Sequence, residues 1–168
     1  VPSEFLAWCR GRWPSLEDIP AYALDLAAHE VTAIEVGAAL DGSARPAVAV
    51  LSLEAPVVFQ EATALRRYAH AVHLLPEEES DRSEPEARPV ALLVYRDAAH
   101  ELRYLELSPT AAFLLEGLLE GLTLQQAIVE GARRGEVLVD DAMLQGVAVL
   151  LGDLAERGAL LGGGAPGV

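Results

Sequence analysis

The stretch from Pro89 to Leu122, PVALLVYRDAAHELRYLELSPTAAFLLEGLLEGL, restricts the fold more than any other part of this chain. Val90 to Tyr95 is an unbroken apolar run, the pattern of a central strand covered on both faces. Asp97-Ala98-Ala99-His100 supplies a turn, and Glu101 to Leu107 reads as the returning strand. Ser108-Pro109 then opens a helix with a hydroxyl cap and a proline at the first helical position. Phe113, Leu114, Leu118 and Leu122 form its apolar stripe, and Gly121 ends it. Thr123-Leu124-Gln125-Gln126 has the form of a capping box, opening a second helix that runs to about Arg134 with Gly135 beyond it. Asp140 or Asp141 caps a third helix, whose inner face carries Met143, Leu144, Val147, Leu150, Leu151 and Leu154. Gly158 stops it, and Ala159 to Leu161 can return as a short strand. Two strands followed by three helices make a winged-helix-like unit, which in principle suits either nucleic acid or peptide binding.

Upstream, Val1 to Ser15 holds Trp8, Trp13, Arg10 and Arg12 and reads as a loosely ordered lead-in. Ser15-Leu16-Glu17-Asp18 fits a helix cap, and Ala23, Leu26, Ala27, Val31, Ile34 and Ala38 recur at helical steps. The spacing predicts a long helix from about Leu16 to Leu40, stopped at Asp41-Gly42-Ser43. His29 and Glu30 are adjacent on it, point to different faces, and read as solvated. Pro46 to Leu53 and Pro56 to Ala62 read as strands. Ala64 to Leu75 fits a helix or a strand; the strand is preferred because it completes a three-stranded sheet, and it sets His70 and His73 on opposite faces. Residues 76–88 hold six acids and two prolines without a large apolar residue, the composition of a flexible acidic loop. The expected class is therefore α+β: an N-terminal long helix, a small antiparallel sheet and a C-terminal winged-helix-like three-helix unit. The expected division is residues 1–62, a recognition unit over 63–162, and a disordered tail over 163–168.

Charge decides between the two functional readings. All twelve basic residues are arginine, and 26 acids leave a formal net charge of -14. Such a chain repels phosphate backbones and anionic lipid unless it carries a local basic patch. From Pro89 to Gly162 five arginines face eleven acids, 5 − 11 = −6. The third helix would present Asp140, Asp141, Gln145, Asp153 and Glu156, with Arg157 alone at its end. A helix that enters the major groove needs the opposite chemistry. The exposed edge of a small sheet, by contrast, can accept an extended peptide as one more strand. Arg103, Leu105 and Leu107 alternate on one side of the returning strand, and Leu102 and Tyr104 on the other. The expected binding residues are these five together with Met143, Val147 and Leu151 of the third helix.

Other chemistries lack their signatures. The single cysteine, Cys9, excludes an internal disulfide and a cysteine cage for metal. No nucleophile stands with a base in a readable motif, no glycine-rich phosphate loop is present, and the His residues are scattered. The expectation is a non-catalytic protein without cofactor or metal. No run reaches the length of a membrane span and no export signal is visible, so a cytoplasmic address is expected. The first residue is Val, which suits a trimmed or divergent short chain.

The segments VALLVYRD, LRYLELSPTAAFLLEGLLEGLTLQQA and LAERGALL resemble the RiPP recognition element, the small winged-helix fold typified by the peptide chaperone of pyrroloquinoline quinone biosynthesis. They are more similar still to the C-terminal region of bacterial partner proteins of multinuclear non-haem iron-dependent oxidative (MNIO) enzymes, a group otherwise labelled DNA-binding. In those proteins a helix like Ile19 to Glu35 precedes a sheet segment like Glu54 to Phe59 and a strand like Tyr95 to Asp97, and an extra N-terminal helical domain is common. The resemblance spans about Trp13 to Leu161. It implies a protein that binds a precursor (leader) peptide and presents it to a TIM-barrel iron-dependent modifying enzyme. By that analogy the peptide lies along Arg103 to Leu107 and the third helix near Met143 to Leu151. The alternative is a transcription regulator or a ligand-sensing fragment of one.

Overall fold

The computed structural model describes residues 1–39, 50–76, 78 and 80–164. Its centre is an antiparallel sheet of β2 (Thr63–Tyr68), β3 (Val90–Arg96) and β4 (Leu102–Leu107), in the order β2-β3-β4. The register sets Leu65, Leu93 and Leu105 side by side, and likewise Ala64, Val94 and Tyr104. Because side chains alternate across a strand, each such row belongs to one face. Ala91, Leu93 and Tyr95 join a core with α3 (Pro109–Leu119), α4 (Leu124–Arg134) and α5 (Asp141–Glu156). Val90, Leu92 and Val94 enter a second core beneath α2 (Ala23–Ala38). The sheet is thus covered on both faces, as the apolar run of β3 requires.

The predicted caps hold the lower layer together. Ser108 accepts the Ala111 N–H, Thr123 and Gln126 exchange the two bonds of a capping box, and Asp140 accepts the Met143 N–H at 2.9 Å. Gly121 and Gly158 close α3 and α5 at φ 91° and 80°, in the left-handed region glycine adopts without strain. A β-carbon on Gly131 would stand 3.1 Å from the Leu114 backbone nitrogen and Cα, so the glycine lets α4 approach α3 closely. A second, two-stranded sheet pairs β1 (Val57–Phe59) with β5 (Leu160–Gly163) after α5. Pro56 bridges to Thr123 on the other side of β1, and Gln60 donates from its side chain to the Gly158 and Arg96 carbonyls. The upstream chain is thereby tied to the end of α5.

Several expectations need correction. The lead-in is not loose: Pro2–Arg12 form helix α1, continued by a 3-10 turn over Trp13–Ser15. Ser15 does not cap the long helix; its hydroxyl donates to the Arg12 carbonyl, and α2 begins at Ala23 after a run of turns. His29 is not solvated but 7% exposed. It faces the sheet with Asp25, Thr32 and Val36, one helical stripe. The stripe can be both polar and buried because Asp25 and Thr32 meet partners from far along the chain, while His29 Nδ1 has no hydrogen-bond partner among the described residues. Asp25 accepts the Ala69 and His70 N–H groups at 3.0 Å each and meets His70 Nδ1 at 2.7 Å, while Arg66 donates to Thr32. The expected strand Pro46 to Leu53 is absent over residues 50–53, and its first half, like the stop at Asp41-Gly42-Ser43, lies outside the described residues. Ala64 to Leu75 resolves into strand β2 and then a 3-10 turn, Val72–Leu74. β5 runs past the predicted Leu161 to Gly163, and Gly164 bonds the Pro56 carbonyl at 2.7 Å.

Candidate functional site

β4 forms a border of the three-stranded sheet, with β3 as its one ladder partner among the described residues. The Asp97 N–H donates to the Glu101 carbonyl at 2.9 Å. In an antiparallel ladder this phase turns the backbone groups of Arg103, Leu105 and Leu107 toward β3 and those of Leu102, Tyr104 and Glu106 outward. Among the described residues no hydrogen bond satisfies the outward set. The opposite border, β2, is guarded: the Arg66 guanidinium donates to the Leu65 carbonyl at 3.0 Å, and Arg66 and Arg67 are both exposed. Charged side chains on an edge discourage pairing.

Beside β4 lies a groove of about 530 Å³ between the strand, the start of α3 and α5. Leu105, Leu107, Ala111, Leu114, Met143, Val147 and Leu150 give it apolar walls, with Glu106, Ser108, Thr110 and Asp140 at the polar rim. Val137 and Leu138 of the α4–α5 connection close one end, and Leu138 is 83% exposed. Gly146 lines the α5 side, where a β-carbon would meet nothing within 4 Å. Room in the groove is therefore set partly by a missing side chain.

The expected binding residues divide into separate places. Leu105, Leu107, Met143 and Val147 meet in the groove. Leu151 does not: it is 3% exposed and borders a different hollow, with Leu51, Leu53 and Leu160, on the other flank of α5. Leu102 and Tyr104 lie on the α2 face, where Leu102 packs into the upper core and Tyr104 stacks on His29 at 4.9 Å between ring centroids. Arg103 sits toward the hairpin end, paired with Asp97 at 2.6 Å and with Glu101. α2 covers the face of β4 that carries Leu102 and Tyr104. The groove opens instead where the lower face of β4 reaches the border. Val137 and Leu138 were missed in sequence, although three consecutive aliphatics, Val137-Leu138-Val139, between two capped helices are an unusual loop composition.

The charges around the border are mostly spoken for. Glu106 pairs with Arg88 at 2.6 Å and His73 at 3.0 Å, and the Arg88 hydrogen bond holds its carboxyl below the usual range. Glu116 is likewise held down by Arg67 and then Arg134, whose guanidinium groups both stack on Phe113. On α5, Asp140, Asp141, Gln145, Asp153 and Glu156 are all exposed, as expected of a helix unsuited to phosphate. His70 and His73 go to Asp25 and Glu106 respectively. Among the described residues no three or more His, Cys, Asp or Glu are grouped to hold a metal ion, and no helix is long and apolar enough to cross a membrane.

These features define a class: a compact α+β protein whose small sheet leaves one border unpaired beside an apolar groove. The particular family follows from comparison with known proteins. The model of the HvfC C-terminal domain matches residues 60–155, more than half of the chain, and the chain belongs to that family. Membership is consistent with an accessory partner in an MNIO system. No curated protein matches the chain.

Proposed function

We propose that this protein is a non-catalytic, cytoplasmic partner that binds a ribosomally synthesised precursor peptide by strand addition on β4. It then presents that peptide to a TIM-barrel iron-dependent modifying enzyme. The observation that carries the reading is the coincidence of two features: outward backbone groups at Leu102, Tyr104 and Glu106, and the apolar groove alongside them. Backbone pairing supplies affinity that is indifferent to sequence, and the groove receives every second side chain, which supplies specificity. The strands β3 and β4 followed by three helices and β5 support a winged-helix-like, RiPP recognition element-like description of residues 63–162. Family membership supports the iron enzyme as the recipient.

The test uses a fluorescently labelled candidate precursor peptide, with anisotropy as readout. The intact protein binds it with sub-micromolar affinity. Leu105→Asp and Val147→Asp each place a carboxylate in the apolar groove and weaken binding by about tenfold or more, with far-UV circular dichroism unchanged. Unchanged affinity in both variants removes the groove from the mechanism. Co-expression with a candidate TIM-barrel iron-dependent enzyme and co-purification test the second half of the reading.

A further inference from the structure

The groove accounts for only half of the side chains on a captured strand. Residues paired opposite Arg103, Leu105 or Leu107 project to the groove side, and those opposite Tyr104 project to the α2 side. On that side Tyr104 is 43% exposed and its ring lies flat enough on His29 (37° between planes) to be held in place. Burial, and then the nearby Glu30 carboxylate, push the Tyr104 hydroxyl up from its usual pKa. Glu30 itself is exposed, and no ion pair engages it among the described residues. By contrast the other acids at this border, Asp97, Glu101 and Glu106, already have arginine partners. A fixed aromatic face beside an uncommitted carboxylate is the chemistry that recognises a cation.

We propose that the captured strand alternates apolar and basic side chains, with a lysine or arginine opposite Tyr104 lying against its ring beside Glu30. This rests on strand addition at β4 and specifies what the strand must look like. The net charge of -14 favours the same sign of partner at long range. The local contact then fixes the register, because sliding by one residue exchanges the groove-facing and Tyr104-facing sets.

The experiment uses three labelled ten-residue peptides of Val and Leu at alternate positions, with Lys, Ser or Glu between them, titrated into the full chain at physiological salt. The expected order is Lys over Ser over Glu, with Lys favoured over Ser by about fivefold to tenfold. Tyr104→Leu and Glu30→Gln each shrink the ratio of Lys to Ser affinity, read within each variant so that a general change in binding cancels, and Tyr104→Phe retains most of that ratio. Glu156→Gln removes the same charge near the C-terminal end of α5 and leaves the advantage intact. Equal binding of the Lys and Ser peptides overturns the charge preference while leaving strand addition standing. So does an advantage that falls equally in Glu156→Gln, which reduces it to bulk attraction. Failure of every peptide to bind overturns both.

Discussion

Gly146 offers a test in which stability and binding move in opposite directions. It lies in the first half of α5 and lines the groove, and a β-carbon there meets nothing within 4 Å. In an exposed helix interior glycine is about 0.8–1 kcal/mol less favourable than alanine. Gly146→Ala therefore stabilises the fold by about that amount, a rise of roughly 2–4 °C in Tm for a domain of this size. Gly146→Leu gains nearly as much, since leucine ranks close to alanine, but it sets an isobutyl group into a cleft of about 530 Å³. Affinity for the precursor peptide should fall by at least tenfold, about 1.4 kcal/mol, in the leucine variant and stay within about twofold in the alanine variant. Urea denaturation and fluorescence anisotropy on the same preparations read both quantities. A leucine variant that binds as well as the parent shows that peptide side chains do not enter beside Gly146. An alanine variant that is destabilised shows that this turn of α5 is not ordinary helix.

Two further expectations concern the fold itself. Gly131→Ala, the same change on α4, puts a methyl group 3.1 Å from the Leu114 backbone. Overpacking of about 1–3 kcal/mol outweighs the propensity gain, so Tm falls where Gly146→Ala raises it; a rise would show that α3 and α4 can separate freely. His29 is buried, and desolvation lowers its pKa from the ordinary 6.5, opposed by Glu30 and reinforced by His73. Below 6.5 the unfolded chain takes up this proton before the folded one does, so stability present above 6.5 declines as pH falls toward the lowered native value. Urea midpoints compared at pH 7.5 and 5.5 should therefore drop more in the parent than in His29→Phe, and equal drops would dismiss the histidine as the source.

The parts of the fold legible in sequence were those fixed by neighbours a few residues apart. Ser108, Thr123 and Asp140 cap the helices they were read to cap, because a cap is a local contact between a side chain and an N–H two or three residues on. The run from Val90 to Tyr95 announced a strand buried on both sides, since only such a strand tolerates unbroken aliphatics. What could not be read was the polar stripe of α2. Asp25 and Thr32 resemble a solvated face until Arg66, Ala69 and His70 arrive from about forty residues later to satisfy them, and His29 is drawn under with them, its ring against Tyr68 and Tyr104. The groove was half visible for the same reason. Leu105, Leu107, Met143 and Val147 sit on elements whose faces the periodicity defined, whereas Val137 and Leu138 belong to a connection that has no period. Leu151 stands four residues beyond Val147, only about 40° further round α5, and periodicity alone cannot assign positions so close between the two flanks of the helix.

The roof that α2 lays over the sheet carries a further meaning for where this module begins. The family model matches residues 60–155, yet Tyr68, Val90, Leu92 and Val94 are shielded by a helix that ends at Ala38. A segment cut to the family's limits would present a greasy, strand-rich surface to its surroundings, and would also lose β1 and the whole of β5. Homology and foldability thus draw their borders at different residues, and any attempt to transplant the β4 border and its groove into another protein must carry the upstream helix with it.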